Sequence, residues 1–287
     1  MNTGAADPME DLLLPLNYQF MQHALLSAMI IGAVTGLMGS FVVIRGMSFF
    51  GEALGHSVLP GVAAAYIFSG GPNTIPIFLG ALSAGVISAL GIGWLTQKEG
   101  VKEDSAIGIV YIAMFALGIA LITGNPSAQG TDLTHILFGD ILGIQREDLI
   151  ITLVCSVIVF LITLLFFKEL TIISFDMSLA RTLKLPAEGL RMLLLVLIAV
   201  SVVASIQVIG TALMLAMLVI PATTAQLLSK RLNSMVILSI LIGVIGSSVG
   251  IFVSFHLDIA TGPAVVLVLV ILFGLGFVWS RVVGRRF

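Results

Sequence analysis

Charge is scarce in this chain. Of its 287 residues only 10% are Asp, Glu, Lys or Arg, and the formal net charge is −2, which excludes the basic surface that nucleic acid requires. Cysteine is scarcer still: Cys155 stands alone inside an apolar run, so no disulfide framework holds the fold and the redox compartment stays open. No Gly-x-x-x-x-Gly-Lys-Ser/Thr phosphate loop occurs, so the chain is not expected to hydrolyse nucleotide, nor to act as an enzyme by itself. Residues 1–17 carry Asp7, Glu10 and Asp11 but neither Lys nor Arg. That tail lacks the basic opening of a cleaved secretory signal and is read as an extracytoplasmic segment, with Leu12 to Leu16 touching the headgroups, ahead of a single transmembrane domain over 18–287.

What the chain has in abundance is apolar length. It is 59% hydrophobic with a mean hydropathy of +1.17, and runs near 20 residues recur from end to end, the pattern of a polytopic membrane protein. Continuous runs, rather than alternating ten-residue segments, select an all-α helix bundle over a barrel. Spans are expected near 19–44, 53–69, 76–97, 105–123, 149–167, 190–208, 210–228, 235–255 and 262–280, nine in all with eight as the alternative. The sixth and seventh are separated only around Ser205 to Gly210, and Gly32, Gly36 and Gly39 make an irregular first span an expectation.

Basic residues orient the bundle. With the N-terminus outside, the C-terminus inside and nine crossings, twelve of the thirteen lysines and arginines fall on the cytoplasmic side, leaving only Arg146 outside beside Glu147 and Asp148. Trp94 and Trp279 then sit at inner helix ends and Tyr18 and Tyr66 at outer ones, as interfacial aromatics should, with Tyr111 the exception. Gly243, Gly246 and Gly250, and Gly80 with Ala84, have the spacing of close helix packing.

The most chemically pointed stretch is Arg45-Gly-Met-Ser-Phe-Phe-Gly-Glu-Ala-Leu-Gly-His-Ser-Val-Leu-Pro-Gly-Val-Ala63. Four residues is just over one helical turn, so Glu52 and His56 project from one face and can share a small cation. Two bland roles compete: Glu52 caps the second helix, or it neutralises Arg45 at the inner interface. Pro60 predicts a kink. Between 124 and 148, Ile136 to Ile144 is too short to span and reads as a surface or partly inserted outer helix, with Asp132, His135 and Asp140 read as solvated loop polars ahead of the alternative, a metal-collecting role. In the inner loop 168–191, Ser174 or Asp176 caps a short amphipathic helix whose apolar face holds Phe175, Leu179 and Leu183 and which stops at Pro186. Such a face needs a cover, either the membrane domain or a partner protein. Around Pro221, Thr223 and Thr224 are placed to bond within the broken turn, and Met214 and Met217 read as packing rather than ligands.

Together the Arg45–Gly61 motif, Phe175-Asp-x-x-x-Ala-Arg-x-Leu-x-Leu-Pro186, Leu218-Val-Ile-Pro-Ala-Thr-Thr-Ala225 and His256-Leu-Asp-Ile-Ala-Thr-Gly262 resemble the permease subunit of bacterial manganese/zinc/iron ABC importers, from about residue 20 to 280. The resemblance implies a homodimer in the bacterial plasma membrane, two cytoplasmic ABC ATPase subunits and an extracytoplasmic metal-binding protein. It makes 175–185 the coupling helix, with Phe175, Asp176, Ala180, Arg181, Leu183 and Pro186 as its ATPase-coupling residues. Glu52 stands where the family usually has aspartate, which keeps the charge and extends the reach by one methylene.

Carboxylate oxygen with imidazole suits Mn, Fe and Zn better than Cu(I). Two ligands from one chain suit transit rather than storage, completed by water or the second protomer, so the metal ion is cargo, manganese first and zinc or iron as alternatives. His256 and Asp258 are candidates for the metal entrance, with loop solvation as the plainer role. A gradient-driven secondary carrier and a membrane scaffold or receptor are the competing functions. The carrier lacks a visible internal repeat here, and the scaffold leaves the acid–histidine pair unexplained.

Overall fold

A computed structural model describes residues 17–71, 73–97, 101–125 and 144–284, and among these every regular element is helical. In chain order they are α1 (Gln19–Ile44), α2 (Phe50–Ser57), α3 (Leu59–Ser69), α4 (Thr74–Leu95), α5 (Glu103–Thr123), α6 (Arg146–Leu165), α7 (Phe167–Phe175), α8 (Met177–Thr182), α9 (Ala187–Leu228), α10 (Leu232–Leu257) and α11 (Thr261–Gly284). Seven of them are long and apolar enough to cross a membrane. The tail through residue 16 and the segment 136–144 up to residue 143, with Asp132, His135 and Asp140, lie outside the described residues.

Lipid chains are as apolar as leucine, so helix association here depends on close packing and polar contacts rather than on expelling water. The α1–α10 contact illustrates both. A Cβ placed on Gly32 would lie 2.8 Å from the Gly243 carbonyl, and one on Gly36 would lie 2.9 Å from Ser239. Small residues let two antiparallel backbones meet there, and the Ser247 hydroxyl donates to the Ala28 carbonyl at 3.2 Å. The glycines of α1 therefore do not make it irregular, as their density led us to expect: it is one unbroken helix, buried along most of its length. Several other buried hydroxyls donate to carbonyls of their own helices, Ser57 to Ala53 and Ser88 to Ala84 among them, which satisfies them without water.

α9 holds 42 residues, about 63 Å of helix if straight, too long for a bundle whose central helix has 26. Gly210 resolves this with φ 73° and ψ 174°, outside helical geometry. Contacts on either side give the direction. Arg191 bonds to Thr96 at the end of α4 and pairs with Glu103 at the start of α5, on the same side as Arg45. Leu218 meets Gly39 near the end of α1, and Leu228 leads through a short link into α10, whose start lies level with that end. Both ends of α9 thus lie at the Arg45 end of the bundle and the chain reverses near Gly210, within the stretch 205–210 where the sequence divided two spans.

One further break matches the sequence, whereas the broken turn expected at Pro221 does not occur. α2 and α3 are separated only at Val58, with Pro60 in the first turn of α3, where proline's missing N–H costs nothing. At Pro221 the helix continues, and the hydroxyls of Thr223 and Thr224 donate to Val219 and Ile220 at 2.8 and 2.7 Å. Met214 and Met217 are fully buried, consistent with packing.

Candidate functional site

α2 begins directly beyond the link 46–49 that follows α1, and it presents Glu52 and His56 one turn apart to α5. Glu52 is exposed on the chain and lines a cleft of about 390 Å³ with Phe49, Ala53, Asp104, Ile107, Gly108 and Tyr111. One turn on, the His56 ring lies 5.7 Å from the centroids of both Tyr111 and Phe115. Its Nδ1 is buried and has no hydrogen-bond partner in the protein. Tyr111 lines the Glu52 cleft and packs its ring near His56, so it belongs to the wall of this site rather than to an interface. Asp104 and the Tyr111–Phe115 wall were not legible as site residues, because only packing brings α5 alongside α2.

The two bland roles for Glu52 are not seen. It occupies the first turn of α2, where a carboxylate is favoured by the helix dipole, but the helix has no side-chain cap hydrogen bond. Arg45 turns to Glu103 instead, with Nη2 at 3.3 Å from Oε1. Burial pulls the Arg45 guanidinium below its ordinary range, the Glu103 carboxylate pushes it back up, and the neighbouring Arg191 lowers it again. Glu52 is left to the cleft. Among the described residues no group of three or more His, Cys, Asp or Glu side chains is arranged to hold a metal.

The short amphipathic helix expected over 175–185 is shorter in the structure. α8 covers only Met177–Thr182, because Phe175 ends α7 and Asp176 breaks the helix with φ −150° and ψ 106°. Of the two candidate caps Asp176 acts: its Oδ1 accepts from the backbone N–H groups of Ser178 and Leu179 at 2.7 and 3.1 Å. Ser174 donates instead to Leu170. Lys184 ends the turn with φ 56°, and Pro186 starts α9 rather than stopping α8. Ala180 is buried against the bundle, whereas Phe175, Leu179 and Leu183 are 66%, 48% and 53% exposed. All three are uncovered, but the face expected from their spacing is not continuous: the break at Asp176 leaves Phe175 on α7 and Leu183 past the end of α8, with only Leu179 on the helix itself. Arg181 pairs with Glu188 at 2.8 Å.

His256 and Asp258 lie at the opposite end of the bundle. His256 is exposed at the end of α10, its Nδ1 2.9 Å from the Phe252 carbonyl, and Asp258 terminates that helix with φ 52°. α10 packs chiefly on α1, α9 and α11, so the fold does not bring this pair to Glu52 and His56.

A model of the ABC 3 transport family matches residues 17–280. The manganese transport system membrane protein MntC of Halalkalibacterium halodurans is 43% identical over 265 residues, covering 92% of this chain and 89% of that protein. A probable iron transport system membrane protein of Haemophilus influenzae is 36% identical over 271 residues, covering 94% and 97%. Among solved structures, a chain of PsaBC from Streptococcus pneumoniae in complex with Fab superposes with a TM-score of 0.79 at 38% identity, covering 94% of this chain and 95% of that one. Matched by the family model over nearly its whole length and by such relatives from end to end, the chain belongs to the ABC 3 transport family.

Proposed function

We propose that this chain is the membrane-spanning permease subunit of an ATP-driven importer for divalent transition metal ions, with Mn²⁺ the first candidate cargo. The reading is supported by the names of relatives at 36–43% identity, manganese for one and iron for another; the iron name favours Fe²⁺ as the second cargo. The observation that carries it is the face shared by Glu52 and His56, turned toward a cleft and an aromatic wall while Arg45 is neutralised by another residue. Oxygen and imidazole donors fit Mn²⁺, Fe²⁺ and Zn²⁺, and a set left incomplete in one chain suits an ion that must leave again.

In the proposed assembly the permease is a homodimer in the bacterial plasma membrane, with the two Glu52–His56 faces sharing one passage. Two ABC ATPase subunits dock on the cytoplasmic side, and an extracytoplasmic metal-binding protein delivers the ion, with His256 and Asp258 as candidates for its entrance. The nine-crossing reading is supported by the α9 reversal and by α2 and α3 acting as one crossing; it places Arg45, α8 and residues 229–231 in the cytoplasm. Closure of the ATPases would move α8 and open the passage to one side at a time.

The test is radioactive Mn²⁺ uptake into proteoliposomes holding the permease with its ATPase. Glu52→Ala and His56→Ala are each expected to lower uptake by about tenfold or more while the complex still assembles. Wild-type uptake by both variants removes the site, and uptake driven by an ion gradient without ATPase would favour the secondary carrier.

A further inference from the structure

We propose that Arg181, Glu188, Arg191, Glu103 and Arg45 form a charge relay that sets the position of the Glu52–His56 segment according to the position of α8. The proposal rests on the reading of α8 as the ATPase-docking helix. It assigns Glu188, Arg191, Glu103 and Arg45 as positioning residues, which touch neither metal nor nucleotide.

The relay is continuous. From α8, Arg181 Nη2 reaches Glu188 Oε1 at 2.8 Å. Glu188 and Arg191 are three apart in the first turn of α9, with Oε2 and Nη1 separated by 3.7 Å. Arg191 Nη2 lies 4.0 Å from Glu103 Oε1 and bonds to Thr96, the residue that ends α4. Glu103 Oε1 also meets Arg45 Nη2 at 3.3 Å. Arg45 closes α1 and begins the link to α2, while Glu103 is followed by Asp104 and opens α5, the helix that walls the Glu52–His56 face. Displacement of α8 therefore acts on both sides of the cleft at once: on α2 through Arg45 and on α5 through Glu103.

The two ends of the relay differ in burial. The Arg181 side chain is 66% exposed and Glu188 41%, whereas Arg191 is 8%, Glu103 29% and Arg45 9% exposed. Outer rungs are easily remade in solvent; inner ones are held, because removing one partner strands a buried charge. The network is also incompletely paired: Arg45 Nη1, Arg191 Nε and Glu188 Oε2 are buried without a hydrogen-bond partner in the protein. A partly satisfied buried network is costly, and the spare donors Arg45 Nη1 and Arg191 Nε provide a second pairing when α8 and the start of α9 shift. That gives the inner ends of α1, α4, α5 and α9 two discrete arrangements, the property a transmitting element needs.

The experiment follows Mn²⁺ uptake and ATP hydrolysis together in proteoliposomes of the full permease–ATPase complex, read as ions moved per ATP. Glu103→Gln and Arg191→Met are expected to keep hydrolysis within about twofold of wild type and to lower the ratio by about tenfold. Arg191→Lys, which retains the charge, should hold the ratio above that of Arg191→Met. Glu188→Gln, which keeps the shape of a half-buried side chain nearer the solvent end of the relay, is expected to lower the ratio in the same direction. An unchanged ratio in Glu103→Gln and Glu188→Gln overturns the relay, including the case where uptake and hydrolysis fall in parallel. Absence of ATP-driven uptake in the wild-type complex would instead overturn the importer reading itself.

Discussion

Arg45 pairs with Glu103 rather than with Glu52, seven residues along its own chain, and Glu52 faces the cleft. A carboxylate held by a guanidinium is a poor ligand for a passing ion; one facing a cleft beside an imidazole with an unpartnered, buried nitrogen is a better one. At the same scale, Gly32 shows how little room separates two helices. A side chain there meets the Gly243 backbone, which cannot swing aside as a flexible side chain would. Gly32→Leu is expected to lower stability by about 1–3 kcal/mol, read as an earlier thermal unfolding transition in detergent. Gly274→Ala, at a position with open space around it, serves as the control and should leave the transition in place.

Among the elements, α8 and α9 contribute in different ways. α8 is a six-residue helix that could not persist alone; Asp176 caps it, Ala180 anchors it and the chain reversal at Lys184 fixes its exit. Its uncovered apolar residues with Arg181 alongside make a surface suited to a partner. Arg181→Glu is expected to reduce copurification of the ATPase and metal uptake together, while leaving expression and detergent stability as they were, since the side chain is largely exposed. Unchanged copurification and uptake would count against docking at this helix. α9 contributes differently: by reversing at Gly210 it gives the bundle two buried walls from one continuous segment.

Across the whole molecule, the proposed orientation puts the Arg45 end, with the relay, α8 and the basic link 229–231, in the cytoplasm. Single cysteines placed in a Cys155→Ser background test this directly. A membrane-impermeant maleimide added to intact cells is expected to label Ser69→Cys and to spare Lys230→Cys and Arg181→Cys until the membrane is opened. The reverse pattern would invert the topology, and with it the side on which an ATPase can dock.

The sequence by itself determined the solvent, the fold class and the candidate pair. Long apolar runs admit only structures that satisfy their own backbone, and an i, i+4 acid and histidine share a helical face wherever that helix is placed. The break ahead of Pro60, the chain reversal within 205–210 and the cap at Asp176 were legible for the same reason: each is set by local backbone chemistry. What only the tertiary structure decided is which groups meet across helices. The pairing of Arg45 with Glu103, the wall of Tyr111 and Phe115, the regularity of a glycine-rich α1 and the path from Arg181 to Arg45 all join residues remote in sequence. Such contacts follow from helix register and crossing, which depend on packing between surfaces that no single segment carries.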